Sequence, residues 1–274
     1  MKRNGTLTTT VRGLPVESTS KAGYFEVQLK PGWNIVGTPS ESSVAKTDLK
    51  FVTSEATELS FAEASQAGLV RSVLWGYSTS GYVQVASLLP YYGYWLKVTA
   101  STPITLLIPI SRSVLESGRA SASELVGAGW DFSVVASTSA GKRASCLLGA
   151  REGATQSFDA RYEAEAPPGF ADLPSLGALE STWGSDSGLF AIDYQTPNQT
   201  TFTWQLELTP PATGDEVTLT WGDLSSLPRD YTATLVDEAT GKRVAMRSLA
   251  SYTPTMRSRS EEHTSELQSP NTLS

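Results

Sequence analysis

Four acidic side chains crowd one stretch of this sequence: Asp159, Glu163, Glu165 and Asp172. Carboxylate oxygens gathered on a loop suit Ca²⁺, which takes roughly six to eight oxygen ligands. The spacing lacks the Asp-x-Asp-x-Asp-Gly order of a calcium loop. A solvated acidic loop is therefore the plain reading, and a weak Ca²⁺ site the sharp one. Two carboxylates about 5–10 Å apart could also hydrolyse a glycoside, but no pattern here places such a pair. A second concentration is aromatic: Tyr77, Tyr82, Tyr91, Tyr92, Tyr94 and Trp95. An exposed ring can stack on the apolar face of a sugar. Strand alternation should bury about half of these rings. Tyr91 and Tyr92 follow Pro90 in a turn and are the best exposed pair, with Tyr77 and Tyr82 completing a candidate ligand-binding set.

Nucleophilic chemistry finds little support. The one histidine, His263, lies in the last residues of the chain. Residues 259–269 read as the translation of a common short-read sequencing adapter, codon for codon. We expect 259–274 to be an artefactual tail, disordered or without support. With it goes the imidazole, and with the imidazole go Ser-His-Asp, Cys-His and His-ligated zinc chemistry. The single cysteine, Cys146, allows no intrachain disulfide or multi-cysteine metal site and reads as a small buried residue. No catalytic residue, cofactor or firm metal ligand is assigned, and the chain reads as a non-enzyme.

The elements that would position these residues are strands. The chain has 274 residues, 39% hydrophobic and 18% charged. Its charge content falls below the usual ~25%, while Ser, Thr and Gly abound. Seven Trp and ten Tyr suit pleated sheets. The net charge of −7 comes without a basic stripe, which argues against nucleic acid as a partner. No apolar run reaches the ~18 residues of a membrane span.

Period-two alternation begins at Tyr24, Trp33–Gly37 reads as a second strand, 73–77 and 82–85 read as a hairpin, and 94–98 and 104–108 complete the module. Ser60-Phe61-Ala62-Glu63 is a capping box, and Gly68 can end the short helix it starts over 60–67. A second alternating set starts at Trp130 and includes 201–209, 217–221 and 231–235. Residues 158–176 read as a long loop. The fold class expected is all-β and mainly antiparallel: a small β-rich module with one short helix, then a β-sandwich, both with Trp-rich cores. The divisions expected are a linker or edge strand over 1–23, a module over 24–110, a linker over 111–124, a sandwich over 125–258 and the tail over 259–274.

The first module resembles a repeat of large secreted bacterial proteins that opens on a Gly-Trp-Asn strand and closes on a Gly-Tyr-Trp strand. The residues that carry this are Gly32-Trp33-Asn34-Ile35-Val36-Gly37, Val73-Leu74-Trp75-Gly76-Tyr77, Gly81-Tyr82-Val83 and Gly93-Tyr94-Trp95-Leu96-Lys97-Val98, with Pro90 between. The second module resembles the β-sandwich that often follows it, just before immunoglobulin-like and sorting domains. That likeness rests on Phe158-Asp159, Ala166-Pro167-Pro168, Trp204-Gln205-Leu206, Val217-Thr218-Leu219-Thr220-Trp221 and Leu235-Val236-Asp237.

The resemblance implies a type IX-like secreted or surface-anchored protein, extracellular, whose sorting domain would follow these modules. Its modules carry no known catalytic residues. The expected role is scaffold or spacer, monomeric within a larger chain, with other extracellular domains or a surface glycan as partners. The alternative is a carbohydrate-binding module built on the exposed aromatics.

Overall fold

The computed structural model describes residues 23–255, apart from positions 41, 80, 111–127, 198 and 213, together with Pro270–Leu273. The linker expected at 111–124, nearly all of the first segment, and His263 lie outside the described residues.

The first module is a sandwich of two four-stranded sheets. One carries β1 (Tyr24–Leu29), β4 (Lys50–Val52), β5 (Glu58–Ser60) and β10 (Ile104–Pro109), ordered β1-β10-β4-β5. The other carries β2 (Gly32–Val36), β6 (Val70–Ser78), β7 (Gly81–Val85) and β9 (Tyr94–Val98), ordered β2-β9-β6-β7. A two-stranded ribbon joins β3 (Val44–Ala45) to β8 (Ser87–Leu88).

Alternation assigns the faces. Leu29, Phe51, Leu106 and Ile108 from the first sheet meet Val36, Leu74, Tyr94, Leu96 and Val98 from the second in one buried core. The helix α1 (Phe61–Gln66) forms where the sequence places it. The Ser60 hydroxyl accepts from the Glu63 amide, and the Glu63 carboxylate accepts from the Ser60 amide. Gly68 lies just beyond with φ of +67°, the left-handed geometry that ends helices.

The second module is one curled sheet of eleven strands. In chain order these are β11 (Gly129–Thr138), β12 (Arg143–Arg151), β13 (Ala164–Glu165), β14 (Ser175–Glu180), β15 (Gly188–Gln195), β16 (Trp204–Thr209), β17 (Val217–Trp221), β18 (Thr234–Asp237), β19 (Lys242–Ala245), β20 (Ser251–Tyr252) and β21 (Pro270–Leu273). The spatial order is β19-β18-β21-β16-β14-β15-β12-β11-β17-β20, with β13 on β15. All pairings are antiparallel except β12 with β15. The all-β expectation holds. The two layers of this module are the two arms of one bent sheet.

The arms close on a shared core of Trp130, Phe132, Trp204, Leu206, Trp221, Leu235 and Val244. The Trp221 indole donates to the Met246 carbonyl at 2.8 Å, fastening one arm to the other. Trp130 stands edge-on to Phe202 and Trp204, with centroids 5.0 and 6.1 Å away.

Two expectations change. The tail was expected to be unsupported, yet Pro270–Leu273 is hydrogen-bonded between β16 and β18. Both flanking strands present edges that only a further strand can satisfy, and a bare edge recruits whatever extended chain can reach it. The tryptophans of the first module also do not fill its core. Trp33, Trp75 and Trp95 lie on the opposite face of the β2-β9-β6-β7 sheet, among side chains of the second module.

Candidate functional site

That outward face is the most developed surface of the molecule. Odd positions of β6 and β9 and the start of β2 send Arg71, Val73, Trp75, Trp95, Lys97 and Trp33 to one side of the sheet, and β7 adds Tyr82. Opposite them lies the stretch 158–176, which the sequence suggested was a free loop. It carries the short strand β13, and Ala164, Ala166, Ala191 and Ile192 receive the aromatic face.

The acidic residues of this stretch do not converge on a cation. Glu165 is 6% exposed and is held by both Arg71, at 3.1 Å, and Lys97, at 2.5 Å. Arg71 also reaches Asp186 at 2.5 Å and stacks 4.2 Å over the Phe158 ring. Burial works against the Arg71 charge, but hydrogen bonds to Asp186 and Glu165 outweigh it and raise its pKa. Asp172 pairs with Lys142 at 3.3 Å. Glu163 folds back to accept the Asp159 amide at 2.5 Å, and the Asp159 side chain accepts the Arg161 amide. Among the described residues no group of three or more His, Cys, Asp or Glu side chains is placed to hold a metal ion. The four candidates from sequence are thus a docking clamp, a surface ion pair and a local turn.

Polar contacts finish the joint. The Tyr82 hydroxyl donates to the Pro168 carbonyl at 2.9 Å, and the Ser72 hydroxyl to the Ala160 carbonyl at 3.3 Å. Phe170 tilts against Trp95 with centroids 6.2 Å apart. At the β6–β7 turn, Gly81 has φ of +99°, and a Cβ there would stand 2.9 Å from the Arg143 carbonyl. Only glycine allows so close an approach of the two backbones. Beside the joint runs an open cleft of about 1330 Å³, lined by Lys46, Trp75, Tyr82, Arg151, Tyr162 and Tyr194 among others.

The tyrosines named from sequence divide into two settings. Tyr82 is built into the joint, and Tyr77 packs edge-on to it at 5.3 Å. Tyr91 and Tyr92 instead project from the turn between β8 and β9, 93% and 62% exposed. Tyr91 has φ of +68°, a conformation that costs a residue with a Cβ about 1–2 kcal/mol. The Tyr94 hydroxyl braces the turn by accepting the Leu89 amide at 2.9 Å.

No protein-family model matches this chain, and neither a curated protein nor a solved structure matches it. Site and fold must therefore speak through their chemistry.

One buried group escaped the sequence reading. Asp193 is 1% exposed and interacts with Glu180, and Glu163, already noted for its charge, is 3% exposed. Burial pushes the Asp193 pKa to about 8, with further repulsion from Glu180, which shares a hydrogen bond with it. Burial likewise lifts Glu163 to about 9, although the Asp159 amide works the other way. Asp193 sits in β15 between aliphatic and aromatic neighbours, and nothing in its local spacing announces that it is buried. The Cys146 thiol is buried as expected, and burial raises its pKa. No helix among the described residues is long and apolar enough to cross a membrane.

Proposed function

We propose that the chain is a non-catalytic structural unit of a secreted or surface-anchored bacterial protein. In this reading its two β modules are joined into one rigid spacer that holds neighbouring domains at a fixed distance and angle. The observation that carries it is Glu165, buried between Arg71 and Lys97 from the other module. A flexible tether between independent modules would not need a buried carboxylate flanked by two partly buried cations, since a charge taken out of water costs several kcal/mol unless it is paired. The indole face around them adds a dry, shape-matched contact. Residual dipolar couplings test the proposal. One alignment tensor should fit both modules, and the double variant Arg71→Ala, Lys97→Ala should require two. Two tensors for the unaltered chain, or turnover in a broad esterase and glycosidase screen, would end it.

A second reading has its own observation. Tyr91 is almost fully exposed and held in left-handed backbone geometry. Strain kept at an exposed ring is a pointer to use, and the Tyr91-Tyr92 turn is suited to stack on a surface glycan. A glycan array reads this directly. Micromolar binding that disappears in Tyr91→Ala supports it, and unaltered binding removes these residues from the account.

A further inference from the structure

The second module contains a seam one strand wide. β16 and β18 do not pair with each other. Each pairs instead with β21, antiparallel on both sides. Among the described residues, the β18–β19 hairpin has its strand pairing to the rest of the sheet through that strand. Yet Leu206, Leu235 and Val244 on either side are fully built into the core. The seam is thus one strand wide, filled by β21 and bounded by two strands that do not pair with each other.

Its present occupant is poorly matched by sequence. Pro270 has no amide to donate, and proline is excluded from central strands for that reason. Asn271 stands in register with Leu206 and Asp237, both buried. Asparagine is disfavoured in strands. Position 273 is in register with Trp204 and Leu235.

Continuing the same register by two residues brings the next inward position between Phe202 and Ala233. An open cleft of about 160 Å³ lies there, with Trp130, Phe202, Trp204 and Tyr231 on its apolar side and Thr200, Asp230 and Thr232 on its polar side. An aromatic ring can stack edge-on or offset against the ring faces of such a cleft.

We propose that this seam is a strand-acceptor site for an extended segment of another polypeptide. That segment would run antiparallel to both β16 and β18. It would carry apolar residues at alternate positions, with an aromatic side chain at the last inward position to fill the cleft. Main-chain hydrogen bonds would supply affinity and the aromatic anchor would supply register, as in strand addition generally. Pro270–Leu273 would be the exchangeable occupant. The inference is independent of the spacer reading, which concerns the other face of the module.

The test uses the full chain and a synthetic peptide of alternating valine and threonine, with phenylalanine at the last inward position. A second peptide shifts the phenylalanine by one residue, and a third is N-methylated along one edge. Hydrogen exchange should show the first peptide protecting residues 204–209 and 234–237, and the other two should bind at least about tenfold more weakly. Thr272→Pro, which cripples the resident strand, should tighten binding of the first peptide by about fivefold. Ala233→Leu, which fills the cleft, should erase the advantage of phenylalanine over valine. A circular dichroism melt checks that each variant is folded. Equal binding of all three peptides, or no added protection at millimolar peptide, overturns the proposal. A concentration-dependent dimer that protects the same strands without peptide also overturns it, in favour of a second copy of this chain as donor.

Discussion

The Tyr252 hydroxyl donates to the Asp237 carboxylate at 2.5 Å, joining the two ends of the curled sheet. β20 lies at one end of the strand order and β18 next to the other, so this bond closes the open side of the module. Burial works against the Asp237 charge, but the Tyr252 and Thr240 side chains and the amides of Ala239 and Thr240 outweigh it and lower its pKa. A carboxylate with a depressed folded pKa stabilises above its unfolded value near 4, and that contribution is lost as pH falls through the folded pKa. Tyr252→Phe should therefore cost about 1–3 kcal/mol at neutral pH. It should also flatten the acid limb of a plot of melting temperature against pH. Unaltered acid melting would show that the bond does not close the sheet.

Asp193 and Glu163 act with the opposite sign. Their folded pKa values, about 8 and about 9, lie above the unfolded range. Their contribution is complete below pH ~4 and declines as pH rises toward 8–9, because the unfolded chain ionises where the folded one stays protonated. Melting temperature should fall steadily from pH 5 to pH 9. Asp193→Asn keeps the shape without the proton and should raise the melting temperature at pH 8 by about 4 °C. Its effect near pH 4 should be small. A shift of equal size at both pH values would assign the gain to packing instead.

Glu165→Ala leaves Lys97 without its carboxylate against a partly buried face, while Arg71 keeps Asp186. The loss should fall below the roughly 3–5 kcal/mol of breaking a fully buried pair. Differential scanning calorimetry should show the single transition of the intact chain splitting into two, one for each module. One undivided transition at the original temperature would mean that the aromatic face alone holds the joint.

Gly81→Ala places a methyl group 2.9 Å from the Arg143 carbonyl at a residue with φ of +99°. Strain of this kind costs about 1–3 kcal/mol. Because the neighbouring backbone belongs to the other module, the loss should appear as faster amide exchange at 143–145 as well as in the β6–β7 turn. Exchange confined to the turn would locate the strain within the first module alone.

Tyr91→Gly relaxes a left-handed residue and should stabilise the chain by about 1 kcal/mol, measured by denaturant unfolding. A loss of stability would mean that the ring packs in solution and is not free.

Much of this was legible from residue order. Alternation at 204–208 places the buried side chains correctly, and the capping box fixes α1. Three central strands were not legible. β12 and β14 carry Gly and Ala at buried positions, where small residues give a weak periodic signal, and β15 buries consecutive residues and so does not alternate. The residues in β12 and β14 are small because neighbours press on them. A Cβ on Gly149 would meet the Trp130 carbonyl at 2.3 Å, and one on Gly177 the Leu189 side chain at 2.6 Å. The docking role of Glu165 was hidden for another reason. Its partners lie 94 and 68 positions earlier in the chain, and an acidic loop reads alike whether it meets water or arginine. The outward tryptophans were ambiguous because alternation tells which rings share a face, and only the fold tells what that face meets.

The parallel pairing among the described strands of the second module, Leu147–Ala150 against Ile192–Gln195, bears on how that module forms in time. Parallel neighbours cannot be made by a tight hairpin, so the intervening chain must be looped out before the centre of the sheet exists. β13 and β14 lie within that loop, and both pair with β15. The hairpins β11–β12 and β14–β15 can form locally, but joining them needs this distant contact, which makes refolding slow and leaves sticky edges exposed for longer.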